Sequence, residues 1–204
     1  AAVMIVKICG ITNLEDAQAA AGLGAHALGF NFHPPSPRYL SPAQAARITN
    51  KLPAGIWKVG VFVNLPPEQV LAVAREAGLD IVQLHGDEPP GLLPEGVRVW
   101  KALRVGESFR PEALEAYPVE AFVLDSPSDG LYGGTGRSFD WARVRETGRR
   151  IVLAGGLDAA NVRRAIGEAR PWGVDACSRL ESSPGRKDYA KLEAFIKAAL
   201  EKPA

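Results

Sequence analysis

VMIVKICGITNLE, residues 3–15, combines a short apolar run, a cysteine followed by glycine, and the start of a helix. The run from Val3 to Ile8 has the length and β-branched content of a buried strand. Thr12 and Glu15 have the spacing of a capping box, in which the two side chains satisfy the first free amides of a helix. The segment therefore predicts a strand, a short loop that begins with Cys9, and a helix.

The same strand–loop–helix pattern recurs along the whole chain. Eight short segments rich in Val, Ile, Leu and Phe are each followed by Gly, Pro, Asn or Asp and then by a helical stretch. The predicted strands are Val3 to Ile8, Ala27 to Phe32, Trp57 to Val63, Ile81 to Leu84, Val97 to Leu103, Ala121 to Leu124, Ile151 to Ala154, and Gly173 to Ala176. Helices are predicted to begin near Leu14, Pro42, Pro66, Pro89, Pro111, Trp141, Asp158 and Asp188.

Strands that alternate with helices pair in parallel, because each crossover returns the chain to the same end of the sheet. An open doubly wound sheet and a closed barrel both satisfy this pattern. Eight repeats without a domain-sized linker favour an α/β fold of the (β/α)8 TIM barrel type, with residues 1–204 as a single domain. In such barrels the site lies where the strands end, so the residues after each strand become the candidates.

Composition narrows the class of protein. The 204 residues carry 24 Lys and Arg against 23 Asp and Glu, so no bulk charge favours nucleic acid or an anionic membrane. No stretch reaches the roughly 18 apolar residues of a membrane span, and the N-terminus lacks the pattern of a signal peptide. Cys9 and Cys177 are too few and too far apart in sequence for a zinc site. We therefore expect a cytoplasmic enzyme without a metal.

Cys9 and Asp125 are the two candidates for acid–base chemistry. Cys9 lies close to the predicted start of a helix, a position that lowers the pKa of a thiol, although buried cysteine is also common as inert packing. Asp125 follows the apolar run Phe122-Val123-Leu124, where low polarity raises the pKa of a carboxyl as a general acid requires. From the residues alone, Asp125 could equally be a helix cap or a turn residue.

Glycines after two neighbouring strands indicate a phosphate site. Gly133-Gly134-Thr135-Gly136 follows the sixth strand and Gly155-Gly156 the seventh, with Ser178 after the eighth. Glycines let backbone amides approach an anion closely, and the helix expected at Asp158 would add its positive end. Barrels often bind phosphate at this place, although either glycine group alone could be ordinary turn chemistry.

Several motifs follow one another in a fixed order, almost one per strand. They are Val6-Lys7-Ile8-Cys9-Gly10-Ile11-Thr12, Ser36-Pro37-Arg38, Val59-Gly60-Val61-Phe62-Val63-Asn64, Val82-Gln83-Leu84-His85-Gly86, Leu124-Asp125, Gly133-Gly134-Thr135-Gly136 through Phe139-Asp140-Trp141, and Ala154-Gly155-Gly156-Leu157. Over essentially its whole length the chain thereby resembles the phosphoribosylanthranilate isomerase family of tryptophan biosynthesis. The resemblance implies a (β/α)8 fold and a cofactor-free Amadori rearrangement of N-(5-phosphoribosyl)anthranilate to 1-(2-carboxyphenylamino)-1-deoxyribulose 5-phosphate.

The resemblance also implies a role for each matching residue. Asp125 matches the family's acid, which would protonate the furanose ring oxygen, and Cys9 matches its base, which would remove the proton from C2 of the sugar. Arg38 matches the position that holds the anthranilate carboxylate; its alternative is a solvated loop arginine. The expected partner is the phosphorylated small-molecule substrate. The further substrate-binding positions are His85, Gly134, Gly155, Gly156, Ser178 and Arg179.

One segment departs from the family pattern. Where the family usually shows Asp-Val-Ser-Ser-Gly-Val-Glu, this chain has Asp175-Ala176-Cys177-Ser178-Arg179-Leu180-Glu181. Arginine in place of glycine removes conformational freedom where amides are expected to meet phosphate. The Arg179 side chain could replace that lost affinity with a charged contact, or it could point to solvent.

Strand parity leads to two expectations about neighbouring side chains. If Cys9 faces the barrel mouth, Lys7 and Asp175 face the interior, and strands one and eight are neighbours in a closed barrel. We therefore expect Lys7 to pair with Asp175, because an unpaired interior charge would cost several kcal/mol. Cys177 should lie near Cys9, and we expect both to be free thiols in the working protein.

Two other functions remain open from the residues alone. One is a different phosphosugar barrel enzyme with Lys101 or another lysine in the central role, and the other is a barrel that binds a phosphorylated ligand without catalysis. Apolar residues at loop ends, such as Leu65 and Leu131, would be compatible with a homodimer.

Overall fold

A computed structural model describes residues 3–106, 108–126 and 141–201. The predicted glycine stretch Gly133-Gly134-Thr135-Gly136 lies outside these residues, as does Leu131. Gly134 therefore remains a prediction from the sequence.

Eight parallel strands close into a barrel, as the sequence predicts. Each strand pairs with the next along the chain, and the first pairs with the last in a register that sets Lys7 beside Asp175. The strands are β1 (Ile5–Ile8), β2 (Ala27–Asn31), β3 (Trp57–Phe62), β4 (Ile81–Leu84), β5 (Arg98–Arg104), β6 (Ala121–Asp125), β7 (Ile151–Ala154) and β8 (Gly173–Ala176).

Helices surround the barrel, and a small hairpin follows its last strand. None of the described helices is long and apolar enough to cross a membrane. The α-helices are α1 (Leu14–Leu23), α2 (Pro42–Thr49), α3 (Pro67–Ala77), α4 (Trp141–Glu146), α5 (Val162–Ala169) and α6 (Tyr189–Leu200). Two 3-10 helices (Pro111–Ala116 and Ser178–Leu180) and the hairpin strands β9 (Glu181–Ser183) and β10 (Arg186–Lys187) complete the described elements.

Three of the predicted helices differ from the structure. The helix expected at Pro89 is absent, and residues 85–97 form turns and loops, because closely spaced prolines and glycines remove hydrogen-bond donors and favour turns. The helix expected at Pro111 is a short 3-10 helix. The helix expected at Asp158 begins only at Val162, since Oδ1 of Asp158 accepts from the amides of Ala160 and Asn161 and holds a turn there.

The predicted capping box of the first helix is also wrong. The capping residue is Asn13, whose Oδ1 accepts from the amide of Asp16 at 2.9 Å. Thr12 instead donates its hydroxyl to the carbonyl of Gly185 in the β9–β10 turn at 2.5 Å. The helix begins at Leu14 as expected, but its cap is Asn13 and not Thr12, and Thr12 connects the first loop to the last. Leu65 is partly buried against the core and not an exposed loop end.

Two apolar layers hold the fold together. The larger layer lies between the strands and the surrounding helices, and the smaller fills the barrel interior. At the amino-terminal end of the strands the interior is closed by Trp57, Trp100 and Trp172, whose ring centroids lie 5.8–6.4 Å apart. Glu120 accepts from Trp100 Nε1 and from Arg98, and the Arg98 guanidinium lies over Trp57. The closed end therefore leaves the opposite end for the site.

We expect Trp100→Ala to lower the free energy of unfolding by about 3–5 kcal/mol, because it removes a fully buried ring and leaves a cavity in the barrel. Trp57→Ala is the matched control, since its ring is only partly buried and should cost less. Urea unfolding of both variants measures the difference. Equal losses would show that the three rings do not close the barrel as described.

Candidate active site

A cavity of about 420 Å³ opens at the carboxyl end of the barrel strands. Among the described residues, no cluster of three or more His, Cys, Asp or Glu side chains is placed to hold a metal ion. The sequence-predicted site residues in the described part of the chain all line this one cavity: Cys9, Arg38, His85, Asp125, Gly155, Gly156, Ser178 and Arg179.

Cys9 lies directly after β1, where its backbone is hydrogen-bonded to the neighbouring strand β8. Its amide donates to the carbonyl of Ala176 at 2.9 Å. Gly29 of β2 leaves room for the sulfur, because a Cβ on Gly29 would lie 2.6 Å from Cys9 Sγ. The thiol is therefore fixed between β8 and a glycine of β2, facing the cavity.

The two cysteines shift the pKa of one another's thiols in opposite directions. Both are free thiols. A hydrogen bond from Cys177 lowers the pKa of Cys9; burial opposes this change and the Lys7 ammonium assists it. The pKa of Cys177 is raised by the same hydrogen bond and by its burial. The hydrogen bond therefore favours ionisation of Cys9 over that of Cys177.

Lys187 of β10 lies behind both cysteines, a position that was not predicted from the sequence. Its side chain is buried, and Nζ donates to the carbonyl of Cys9 at 2.7 Å and to that of Cys177 at 3.2 Å. Lys187 comes just before the last helix, and no sequence pattern there indicates a contact with the residues that follow the first strand. Only the folded β9–β10 hairpin brings this ammonium to the site.

The interior pair between Lys7 and Asp175 is present as expected. Lys7 Nζ lies 2.7 Å from Asp175 Oδ2, and the lysine is fully buried. Burial alone would lower the pKa of Lys7, but the charges of Asp175 and Cys9 outweigh it and raise the pKa. The ammonium is therefore shared between the Asp175 carboxylate and the Cys9 sulfur.

Asp125 ends β6 on another wall of the same cavity. Partial burial raises the pKa of its carboxyl, and the negative charge of Asp175 adds to this, while His85 and Arg104 act in the opposite direction. The shift is opposite in sign to that of Cys9, so one group is favoured as an acid and the other as a base.

His85 lies at the rim, where its Nδ1 is 3.1 Å from Nε2 of Gln83. Burial away from water lowers the pKa of the imidazole, and the positive charge of Lys7 lowers it further. A neutral imidazole lines the site at neutral pH, in agreement with a lining role. His33 also lines the cavity.

Arg38 is held in place by a carboxylate. Its Nε lies 2.9 Å from Oε2 of Glu181, and its Nη2 lies 2.5 Å from Oε1. Glu181 is almost completely buried, and the pair joins the loop after β2 to the hairpin after β8. Arg38 is therefore a fixed wall of the cavity and not a solvated loop arginine.

The loops after β7 and β8 form the wall where phosphate was expected. Gly155 and Gly156 have φ values of +100° and +60°, and a Cβ on Gly155 would lie 2.0 Å from the carbonyl oxygen of Ser126. Only glycine fits there. Arg179 lines this wall and donates to Asp158 Oδ2 at 3.1 Å, so its guanidinium is tied at the mouth of the cavity.

Lys101 has no free ammonium to serve as a central lysine. Its buried Nζ donates to the carbonyl of Gly86 at 2.6 Å, to Glu88 Oε2 at 2.8 Å and to the carbonyl of Leu84 at 3.3 Å. Three partners match the three donors of an ammonium. This geometry argues against the alternative enzyme with Lys101 at its centre.

Comparison with known proteins identifies the family of this chain. The family model for N-(5'-phosphoribosyl)anthranilate isomerase matches residues 6–198. The chain belongs to the N-(5'-phosphoribosyl)anthranilate isomerase family. The family member from Solibacter usitatus is 53% identical over 196 residues, covering 96% of this chain and 97% of that protein. The one from Rubrobacter xylanophilus is 48% identical over 201 residues, covering 95% and 98%.

Solved structures of the family have the same fold. The Thermotoga maritima isomerase is 45% identical, with a TM-score of 0.86 over 96% of this chain and 98% of that one. A family structure in complex with reduced 1-(o-carboxyphenylamino)-1-deoxyribulose 5-phosphate is 43% identical, with a TM-score of 0.84 and the same coverage. Another structure is of monomers generated from the dimeric Thermotoga maritima protein. The predicted family and barrel are thereby confirmed.

We expect Lys7→Met to lower the free energy of unfolding by about 3–5 kcal/mol, because it leaves the Asp175 carboxylate buried without its cation. The double variant Lys7→Met/Asp175→Asn should recover part of this loss, since no unpaired interior charge remains. Denaturant unfolding of both variants measures the two values. A stable Lys7→Met protein would show that the pair does not support this end of the barrel.

We expect Cys177→Ala to raise the pKa of Cys9, because the variant loses the hydrogen bond that stabilises the thiolate. A hydrogen bond to a charged group is worth about 1.5–3 kcal/mol and the thiol is a weak donor, so alkylation of Cys9 at mildly acidic pH should slow about tenfold. Iodoacetamide labelling followed by peptide mass spectrometry measures the rate. Cys177→Ser keeps a donor and should label at nearly the original rate; equal slowing in both variants would contradict the assignment.

Proposed function

We propose that this chain catalyses the Amadori rearrangement of N-(5-phosphoribosyl)anthranilate to 1-(2-carboxyphenylamino)-1-deoxyribulose 5-phosphate in tryptophan biosynthesis. Asp125 is the general acid and Cys9 the general base. The observation that carries the proposal is the placement of these two groups around one cavity with pKa shifts of opposite sign. Paired groups with opposite shifts are typical of acid–base catalysis.

The reaction involves four proton transfers, of which Asp125 and Cys9 carry out the first two. Asp125 gives its proton to the furanose ring oxygen, the C1–O bond breaks, and the anthranilate nitrogen forms a Schiff base with C1. The Cys9 thiolate then removes the proton from C2, and the electron pair moves to form the enolamine. The enolamine then tautomerises to the ketone. C1 takes up the proton that Cys9 removed, and the C2 hydroxyl proton replaces the one that Asp125 gave up. Each positioned proton transfer is typically worth about 10²- to 10⁴-fold in rate.

The cavity walls suit the two ends of this substrate. Gly155 and Gly156 present open backbone to the phosphate, and Ser178 and Arg179 add a hydroxyl and a guanidinium on the same wall. Arg38 would hold the anthranilate carboxylate. Among the described residues its Nη1 makes no hydrogen bond, whereas Nε and Nη2 are bound to Glu181.

We expect Cys9→Ser and Asp125→Asn each to lower kcat by about 10²- to 10⁴-fold, because serine is a far weaker base and asparagine has no acidic proton. Loss of anthranilate-type fluorescence follows turnover. Both variants should still bind the reduced product analogue, since neither change removes the phosphate wall.

Asp80→Asn is the matched control, because it makes the same chemical change before β4, at the opposite end of the barrel, and should keep its rate. If both site variants turned substrate over at the unsubstituted rate, the acid–base assignment would be wrong. If the unsubstituted protein bound the analogue without any turnover, the chain would be a binding protein.

A further inference from the structure

The two thiols of this chain lie side by side at the ends of neighbouring strands. Ile8 of β1 pairs with Ala176 of β8, and Cys9 and Cys177 are the next residues along the two strands. The amide of Cys9 donates to the carbonyl of Ala176 at 2.9 Å, so the pairing continues to the cysteines. Neighbouring strands lie about 4.8 Å apart, and a disulfide joins Cα atoms that are about 4.4–6.8 Å apart. The two backbones are therefore placed for a disulfide.

The two side chains also lie within reach of one another. The thiols are hydrogen-bonded to each other, and both line the cavity and are partly exposed. A Cβ on Gly10 would lie 2.7 Å from the sulfur of Cys177, so this sulfur reaches over the loop that follows β1. The sulfur of Cys9 packs against Gly29 on the other side of β1, and rotation about its Cα–Cβ bond turns it towards Cys177. Bond formation therefore requires a side-chain rotation and no movement of the strands.

We propose that Cys9 and Cys177 form a reversible disulfide under oxidising conditions, and that this bond inactivates the site. Formation of the bond depends only on the two thiols, whereas the loss of activity rests on the proposed function, in which Cys9 is the base. The family pattern has serine at the position of Cys177, and a hydroxyl cannot form this bond. The second thiol is thus a departure of this chain from that pattern.

A hydroperoxide such as hydrogen peroxide is the oxidant. The Cys9 thiolate attacks one peroxide oxygen, the O–O bond breaks, hydroxide leaves, and Cys9 becomes a sulfenic acid. The sulfur of Cys177 then attacks the sulfur of Cys9, the S–O bond breaks, and the departing hydroxide takes up the Cys177 proton as water. The two sulfurs together lose two electrons, and the peroxide gains them. Two thiols and one hydrogen peroxide thereby give one disulfide and two molecules of water.

The surrounding groups favour both steps. The hydrogen bond from Cys177 and then the Lys7 ammonium lower the pKa of Cys9, which favours the attacking thiolate. The hydrogen bond from Cys9 and burial raise the pKa of Cys177. Lys187 and Arg38 oppose that rise, and Lys187 Nζ lies 4.0 Å from the Cys177 sulfur. The same Nζ donates to the carbonyls of both cysteines, so it holds the two backbones in place while the bond forms and breaks.

The test treats the reduced, unsubstituted protein with hydrogen peroxide, blocks the remaining thiols and digests it without reduction. We expect mass spectrometry to find the Cys9 peptide linked to the Cys177 peptide, and the thiol count to fall from two to none. Turnover should fall by about 10²-fold or more, because the bonded sulfur can no longer accept a proton. Dithiothreitol should restore the two thiols and the original rate.

Cys177→Ser is the matched control, and its activity is compared with that of its own reduced form. Without a second thiol, the sulfenic acid at Cys9 has no partner, and excess peroxide should carry it to the sulfinic acid. The Cys9 peptide of this variant should therefore gain two oxygen atoms, and dithiothreitol should not restore its rate. If the variant does not fold, the linked peptide and the thiol count of the unsubstituted protein still decide the result.

Absence of the linked peptide from the oxidised, unsubstituted protein would overturn the disulfide. A linked protein that kept its full rate would overturn the inactivation, together with the assignment of Cys9 as the base. If the reduced protein turned over no substrate, the proposed function would be wrong and the inactivation with it, whereas the linked peptide and the thiol count would still decide whether the bond forms.

Discussion

A single buried ammonium, that of Lys7, organises the mouth of this barrel. It lies between the Asp175 carboxylate and the Cys9 sulfur, so two groups that would otherwise repel one another share a cation in a region of low polarity. Removing a charge from such an arrangement is costly because its partner cannot recover hydration. The hydrogen bond from Cys177 lowers the pKa of Cys9 most, and the Lys7 ammonium assists it. The same ammonium holds the Asp175 carboxylate in its orientation, and the rest of the site is arranged around this pair.

The two ends of the barrel have different roles: one stabilises the fold and the other forms the cavity. Stacked tryptophans with flanking arginines close the amino-terminal end, where apolar area and aromatic contacts stabilise the fold. Charged interior residues, small side chains and glycines occupy the other end, where they stabilise little and leave space. Gly29 and Gly155 illustrate this: side chains there would collide with Cys9 and with the loop after β6. The stabilisation at the amino-terminal end therefore offsets the cost of the polar interior at the carboxyl end.

The sequence was sufficient for the barrel, because hydrophobic strands at regular spacing constrain topology strongly. It also predicted that the candidate side chains would come together, because the strand ends meet at one edge, and the described ones line one cavity. It also supported the Lys7–Asp175 pair, which follows from parity and closure. It could not reveal Lys187 or the Arg38–Glu181 pair, since these depend on how a hairpin folds back over the first loop. The predictions of a helix at Pro89 and of a cap at Thr12 were wrong for a local reason. Several residues near each turn can form alternative hydrogen bonds, and tertiary contacts determine which of these form.

The β9–β10 hairpin holds the loops at the carboxyl end of the barrel in place. Glu181 accepts from Arg38 and from the amide of Gly185, whose carbonyl accepts from Thr12, and Lys187 donates to the carbonyl of Cys9. The hairpin thus fastens the loops after β1 and β2 to the end of β8. The charges of Lys187 and Arg38 also oppose the rise in the pKa of Cys177. The contacts that close the barrel's last loop therefore contribute to the electrostatics of the site as well.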